Sequence, residues 1–295
     1  MATIVIAGAT GFVGRAVAER FRSRGARTIA LVRSIERART LFGGGVESAT
    51  WNEIDRAIAE ADAVVNLVGE NIAAGRWTKR RKALLRSSRI EPTQRIAQAI
   101  ASSRARPRVL VNASAVGYYG NRSDELLTED SAKGDGFLSD LCAEWEATAQ
   151  EAERYCRVVR LRLGVVIGRG GGMLGKVEPI VKAFGAIVPG SGQQWLSWIA
   201  LRDVVGAVEW LVEHETIAGA VNVTAPQPAT MADFMRTLAR LHRRPVWGRV
   251  PEPVLRLALG EMASTLTDST RAIPARLLDA GFRFLHAELP SALRT

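Results

Sequence analysis

The sequence predicts an α/β fold built on a doubly wound parallel sheet, with a smaller α/β lobe after it. Three observations predict this. Residues Thr3 to Ala7 form a β-branched, apolar run, the pattern of a strand buried on both faces. Glycines follow at Gly8, Gly11 and Gly14, and Arg15 to Phe21 then takes helical spacing. Apolar runs alternate with helical segments as far as Gly168 and loosen beyond it.

The opening turn sets the first functional expectation. Strand, glycine turn and helix together place a pyrophosphate on a helix N-terminus. Gly8 permits the tight turn, Gly11 lets the backbone approach phosphates, and Gly14 lets the helix pack closely. Thr10, Phe12 and Val13 lie within the same turn. The spacing is G-x-x-G-x-x-G. Thr28 to Val32 is the second strand, ending at Arg33. An acidic residue there would bind an adenine ribose hydroxyl. Residues 32–35 hold none, and Arg37 is near, so Arg33 favours a 2′-phosphate and NADP(H) over NAD(H).

Glu53 to Glu60 reads as a short helix, and Ala61 to Gly69 as a strand whose carboxyl end lies over the cofactor, with Asn66, Leu67, Val68 and Gly69 closest to it. A long helix is expected from Lys79 to Ser103, with Leu84, Leu85, Ile90, Ile96, Ala97 and Ile100 facing the sheet. Arg108 to Ser114 is the next strand. Asp124 to Gly136 reads as a polar surface loop, Phe137 to Tyr155 as a helix, and Arg157 to Gly168 as a strand and turn. Helices follow at Met173 to Phe184, Val204 to Glu213 and Met231 to Leu241, with strands near Trp195 to Ile199 and at Ala220 to Val223. The division expected is residues 1–170 as the dinucleotide domain, its sheet completed by segments near 195–225, and residues 171–295 as a substrate lobe.

The 295 residues are 47% hydrophobic, ordinary for a chain that buries a full core. No apolar run approaches the roughly 18 residues of a membrane span. The start runs directly into a strand, and only Cys142 and Cys156 are present, so a cytoplasmic protein without a disulfide framework is expected. The net charge of +10 is nearly all arginine, scattered rather than gathered into a tract. It reads as a solvated surface, and nucleic acid is set aside as a partner. His214, His242 and His286 show no ligand spacing, so no metal is expected.

Ile6 to Gly14 resembles the opening of the extended short-chain dehydrogenase/reductases. The match narrows with Asn66 to Ile72, Arg76-Trp77, Ser88 to Ile90, Ser114 to Gly120, Trp145-Glu146, Gly190 to Gln193, Ser197 to Ile199 and Asp203. Together these resemble an atypical, epimerase-type subgroup that ends in a domain of unknown function (DUF1731), which Leu259 to Ala263 and Leu278 to Phe284 fit, within about residues 247–293. The resemblance implies a Rossmann fold and NADP(H), with Leu67, Val68, Arg89 and Val166 lining the cofactor. The subgroup's His after Trp-Ile is Ala200 here.

Hydride-transferring members of the wider family carry Tyr-x-x-x-Lys on the helix after the serine strand. Phe137 to Glu146 has neither residue in that spacing, and Leu138 and Cys142 fall at those positions. Ser114, or Ala115 if the register is shifted by one, is the candidate for a substrate oxygen, and Tyr118 or Tyr119 the candidate proton donor. Gln193, Trp195 and Trp198, with Ser191 and Gln194, are candidates for the substrate cleft. Two readings of function stand: an NADP(H)-dependent oxidoreductase or epimerase-like enzyme on an unidentified small molecule, and a noncatalytic NADP(H)-binding regulator or redox sensor.

Overall fold

The computed structural model describes residues 1–294; Thr295, the last residue of the expected substrate lobe, lies outside them. Its elements run β1 Thr3–Ala7, α1 Phe12–Ser23, β2 Arg27–Val32, α2 Ile35–Phe42, β3 Glu47–Thr50, α3 Ile54–Ala59, β4 Ala63–Asn66, α4 Lys79–Ser102 and β5 Val109–Ala115. Then come β6 Leu126–Leu127, α5 Phe137–Gln150, β7 Arg157–Leu163, β8 Val165–Ile167, α6 Leu174–Phe184, β9 Ala186–Pro189, β10 Trp195–Leu196 and β11 Trp198–Ala200. The chain closes with α7 Leu201–Glu213, β12 Gly219–Val223, β13 Ala229–Thr230, α8 Met231–Leu241, β14 Val246–Val250, α9 Glu252–Leu259, α10 Ser264–Thr267, β15 Arg271–Ala272, α11 Ala275–Asp279 and α12 Leu289–Ala292.

Seven strands form the central sheet in the order β12-β7-β5-β4-β1-β2-β3, and every pairing in it is parallel. The sheet is a Rossmann-like doubly wound layer. Ile4 and Ile6 face the side covered by α1 and α7, while Val5 and Ala7 face the side covered by α3 and α4. Two covered faces explain the apolar run of β1 and the Val109 to Val111 run of β5. The sheet order reverses between β1 and β4, which opens a crevice at the strands' carboxyl ends.

The smaller lobe has its own core. Trp198, Phe234, Leu174, Leu238 and Met231 pack there, with Leu289 and Leu293 from the chain's end. Among the described residues no helix is long and apolar enough to cross a membrane.

Several expectations are corrected. Leu84 is 47% exposed, whereas Leu85, Ile96, Ala97 and Ile100 are buried. A stripe one residue too wide was read from a helix whose first turns leave the sheet. The segment from Asp124 to Gly136 is not wholly surface: Leu127 pairs through β6 with β15 and is fully buried, and Glu129 is buried too. The α5 helix ends at Gln150, followed by a tighter turn at Glu151–Arg154. Of the later segments expected in the main sheet, β12 joins it, but β10 pairs with β13 and β11 with β8. Neither α2 nor β3 was read from the sequence; both are short, and the polar composition of β3 hides its strand character.

Candidate functional site

Burial falls at one level across the sheet. β1 is buried to Ala7 and opens at Gly8; β4 is buried to Asn66 and opens at Leu67 and Val68; β5 is buried to Ser114 and opens at Ala115. These carboxyl ends form the rim of the crevice at the switch point.

The glycine turn is sterically over-determined. Gly8 has φ +81°, and a Cβ there would lie 2.7 Å from the Leu67 carbonyl carbon. A Cβ on Gly14 would lie 2.1 Å from the Gly8 oxygen. Gly11 is looser, 3.2 Å from that same oxygen, and caps α1 without a side-chain hydrogen bond. Phe12, Val13 and Gly14 are the first residues of α1, so their N–H groups have no intrahelical acceptor. The Phe12 ring turns away from them: it fills a socket walled by Gly168, Gly171 and Gly172, with Val166 supplying a carbonyl beside Gly172. Thr10 is half-exposed. At the end of β2, Arg33 and Arg37 are exposed and have no carboxylate partner among the described residues.

Arg89 reaches the same crevice from α4. Its guanidinium donates to the Glu70 carbonyl at 3.0 Å and the Leu85 carbonyl at 2.9 Å, and it lies against Gly69 and over the Trp145 ring. Burial pushes its pKa below the usual guanidinium value. Its hydrogen bonds brace the loop after β4.

The end of β5 differs from expectation. Ser114 is 2% exposed, and its hydroxyl donates to Glu146 Oε1 at 2.7 Å. That corrects the picture of a serine facing a substrate oxygen, because its proton is already committed. Glu146, on α5, also accepts from Arg162 Nε at 2.8 Å and Nη2 at 3.0 Å. Arg162 stands on β7 level with Ser114 on one side and Asn222 on the other. Its Nη1 donates to the Tyr119 hydroxyl, which donates on to Asn222 Oδ1 at 2.7 Å. Burial opposes charge on Arg162, yet the hydrogen bonds it donates to Glu146 leave its pKa above the usual value. Burial pushes Tyr119 up to about 12, so it is a structural phenol. Burial likewise pushes Cys142 up to about 12, which removes it as a nucleophile.

Tyr118 is half-exposed. Its ring lies on the Arg162 guanidinium, 3.5 Å from the centroid, and its hydroxyl has no hydrogen-bond partner among the described residues. Lys133 is raised by its hydrogen bond to Asp140, and Tyr118 adds to that shift, so a cation stands near the phenol. Leu138 and Cys142 face the turn beyond: a Cβ on Gly117 would lie 3.2 Å from Leu138 Cβ and 3.7 Å from Cys142 Sγ.

Glu129 closes the buried network. Its Oε1 accepts from the backbone N–H of Asn222 at 3.0 Å and of Arg276 at 3.3 Å, while Oε2 has no partner among the described residues. Burial pushes its pKa up. The folded chain therefore holds this proton more tightly than the unfolded chain. The stabilisation is complete below the ordinary carboxyl range and is lost as pH rises through the folded value. Glu129→Gln keeps the acceptor and never ionises. Its urea midpoint is expected to rise relative to the parent between about pH 4 and pH 8; a constant difference across that range would show that Glu129 is not strained by charge.

The expected substrate residues separate. Trp198 is fully buried in the smaller lobe's core and donates Nε1 to the Gln227 carbonyl, so it does not line a cleft. A short aromatic stretch reads alike from sequence whether it packs inward or lines a cavity. Trp195 is half-buried, donating to Asp124 and covered by the Arg271 guanidinium. Gln193 and Ser191 are exposed, while Gln194 is buried and donates to the Pro189 and Leu266 carbonyls. Arg162, Asn222 and Glu129 were missed as site residues. The available signal was an arginine two residues from Arg160 inside an otherwise apolar strand, which demands a buried partner.

The chain matches two family models: "NAD dependent epimerase/dehydratase family" over residues 4–224 and "Domain of unknown function (DUF1731)" over residues 250–295. It is 36% identical to the epimerase family protein YfhF of Bacillus subtilis over 296 residues, covering 98% of this chain and 96% of that one. The crystal structure of human epimerase family protein SDR39U1 with NADPH superimposes with a TM-score of 0.91 at 32% identity, covering 99% and 98% of the two chains. MoeE5 in complex with UDP-glucose and NAD, at 20% identity and a TM-score of 0.78 over 99% and 96% of the chains, shares the fold alone. The chain belongs to the NAD dependent epimerase/dehydratase family, as an atypical short-chain dehydrogenase/reductase.

Proposed function

We propose that the protein binds NADP(H) in the crevice at the carboxyl ends of β1 and β4 and acts as an oxidoreductase or epimerase-like enzyme on an unidentified small molecule. The observation that carries the reading is the pairing of unsatisfied helix N–H groups at Phe12 and Val13 with the unpaired guanidinium of Arg33. Both are donors without acceptors, at a spacing set by adjacent strands, and the group fits them. NADPH in the human relative supports the same assignment.

In this reading Gly8, Gly11 and Gly14, with Thr10, Phe12 and Val13, hold the pyrophosphate on the α1 N-terminus. Arg33 holds the 2′-phosphate, Leu67, Val68 and Gly69 cover the adenosine side, and Arg89 fixes that loop. Val166 borders the nicotinamide side. Bound there, the dinucleotide supplies or takes up a hydride. Tyr118, half-exposed with its ring on the Arg162 guanidinium, exchanges the proton with the substrate oxygen. Ser114 orients Glu146 and Arg162 beneath it. The substrate enters past Gln193 and Trp195.

Arg33→Ala is expected to weaken NADPH binding about 10- to 100-fold, the worth of one charge-assisted contact, and to leave NADH unchanged. Equal affinity of the parent for NADPH and NADH in calorimetry would remove the 2′-phosphate assignment.

One observation favours a second reading, a noncatalytic NADP(H)-binding regulator or redox sensor. Leu138 and Cys142 occupy the α5 positions facing Gly117, and neither can move a proton at neutral pH. Tight NADPH binding with neither cofactor oxidation nor conversion of the compound added, across a panel of carbonyl compounds and nucleotide sugars, would select this reading.

A further inference from the structure

We infer that the part of the substrate that enters beyond Gly117 is uncharged and apolar, so that the small molecule is a neutral carbonyl or alcohol compound rather than a nucleotide sugar. The inference rests on the NADP(H) reading above and concerns the wall that faces the open end of β5.

That wall is assembled from three separated stretches. Ile72 and Trp77 come from the loop after β4, Phe137 and Leu138 from the start of α5, and Met262 from the C-terminal segment. Trp77 is buried and meets Phe137 edge to face at 5.3 Å, and its Nε1 is spent on the Ile72 carbonyl at 2.8 Å. Ile72, Phe137, Leu138 and Met262 are only half-buried, and Leu138 is the side chain that meets Gly117. No free polar group projects from these five side chains.

Several of the cations around the wall are already matched. Lys82 pairs with Glu261 at 2.5 Å and lies on the Phe137 ring. Arg81 is held by Glu70 and the Asn71 carbonyl, Lys133 by Asp140, and Arg162 by Glu146. Lys176 donates to the Ala73 carbonyl at 2.8 Å. Arg76, Lys79 and Arg80 have no carboxylate partner among the described residues, but they are exposed to water. A diphosphate drawn against these five side chains would lose its hydration there with no donor from them to replace it. An apolar group there gains from the surface it removes from water. The two terms point the same way.

The test uses the full-length protein loaded with NADPH. Two probes, 4-phenyl-2-butanone and UDP-glucose, are titrated by calorimetry, with saturation-transfer NMR reporting which part of each probe touches protein. The ketone is expected to bind through its phenyl end, and UDP-glucose to bind more weakly or not at all. The near-isosteric variants Leu138→Asn and Met262→Gln are each expected to weaken the ketone about tenfold while NADPH affinity stays within twofold. Two variants guard against one that fails to fold, and thermal melting of each reports that directly. UDP-glucose binding tighter than the ketone, no ketone binding, or ketone binding unmoved in both variants would overturn the inference. Failure of the parent to bind NADPH would instead count against the cofactor reading, and the same titrations on the unloaded protein would still report on the wall.

Discussion

Gly14→Ala is expected to destabilise the protein by about 3 kcal/mol or more and to abolish measurable NADPH binding. Two effects of opposite sign meet at this position. Gly14 lies inside α1, where alanine is the better helix former by about 1 kcal/mol. The added methyl carbon would stand 2.1 Å from the Gly8 oxygen, 2.8 Å from its carbonyl carbon and 3.0 Å from Ala9 Cα. All three are backbone atoms, and Gly8 is itself pinned against Leu67. The clash has no flexible side chain to absorb it, so the steric term exceeds the propensity term. Relief requires α1 to move off β1, which also moves the N–H groups of Phe12 and Val13. Urea unfolding and an NADPH titration measure both losses. Gly44→Ala is the control: nothing lies within 4 Å of its added carbon, and its stability is expected to stay within about 0.5 kcal/mol. Parent-like stability for Gly14→Ala would mean that α1 is less tightly seated on β1 than the geometry requires.

Arg162→Met is the second large effect, a loss of about 3 to 5 kcal/mol. Arg162 and Glu146 have side chains only 5% and 4% exposed. Removing the guanidinium strands a carboxylate that then has the Ser114 hydroxyl as its remaining side-chain donor. It also withdraws a donor from the Tyr119 hydroxyl and the Glu129 carbonyl. Glu146→Leu alone strands the opposite charge at similar cost. The double variant Arg162→Met with Glu146→Leu removes both charges and is expected to recover more than half of the loss, since an apolar pair of similar volume is often no worse than a buried ion pair. A double-mutant cycle in urea measures the coupling. Strict additivity would show that the two side chains do not depend on each other.

How far the sequence could be read depended on how each element is stabilised. β1, β2 and β5 were legible from the apolar runs that a parallel strand covered on both faces requires, β7 was legible from its apolar residues despite Arg157, Arg160 and Arg162, and the glycine triplet was legible because each glycine answers a local steric demand. β6 and β15 were not, and β10 and β11 were read only as one strand near Trp195 to Ile199. They are two or three residues long and exist through pairing with distant segments, as Leu127 does with Ala272. Trp198 illustrates the same limit at the site. Its neighbours Gly190 and Gln193 suggested a cleft, but Phe234 and Met231, more than thirty positions on, supply the core that encloses it. The Ser114, Glu146 and Arg162 triad was only partly visible. Each residue could be noted in the sequence, while their meeting depends on Ser114 pairing in register with Arg162 across β5 and β7.

The socket that holds Phe12 bears on the order of assembly. Its walls are the backbone of Gly168, Gly171 and Gly172, residues made long after Phe12. Until they arrive, the ring at the start of α1 has no seat and the helix entrance has no fixed direction. Loop closure over that span is a late, non-local event. The most recognisable stretch of the chain is therefore among the last to reach its final form, and an N-terminal fragment ending before β8 would carry the glycine signature without a finished anion seat.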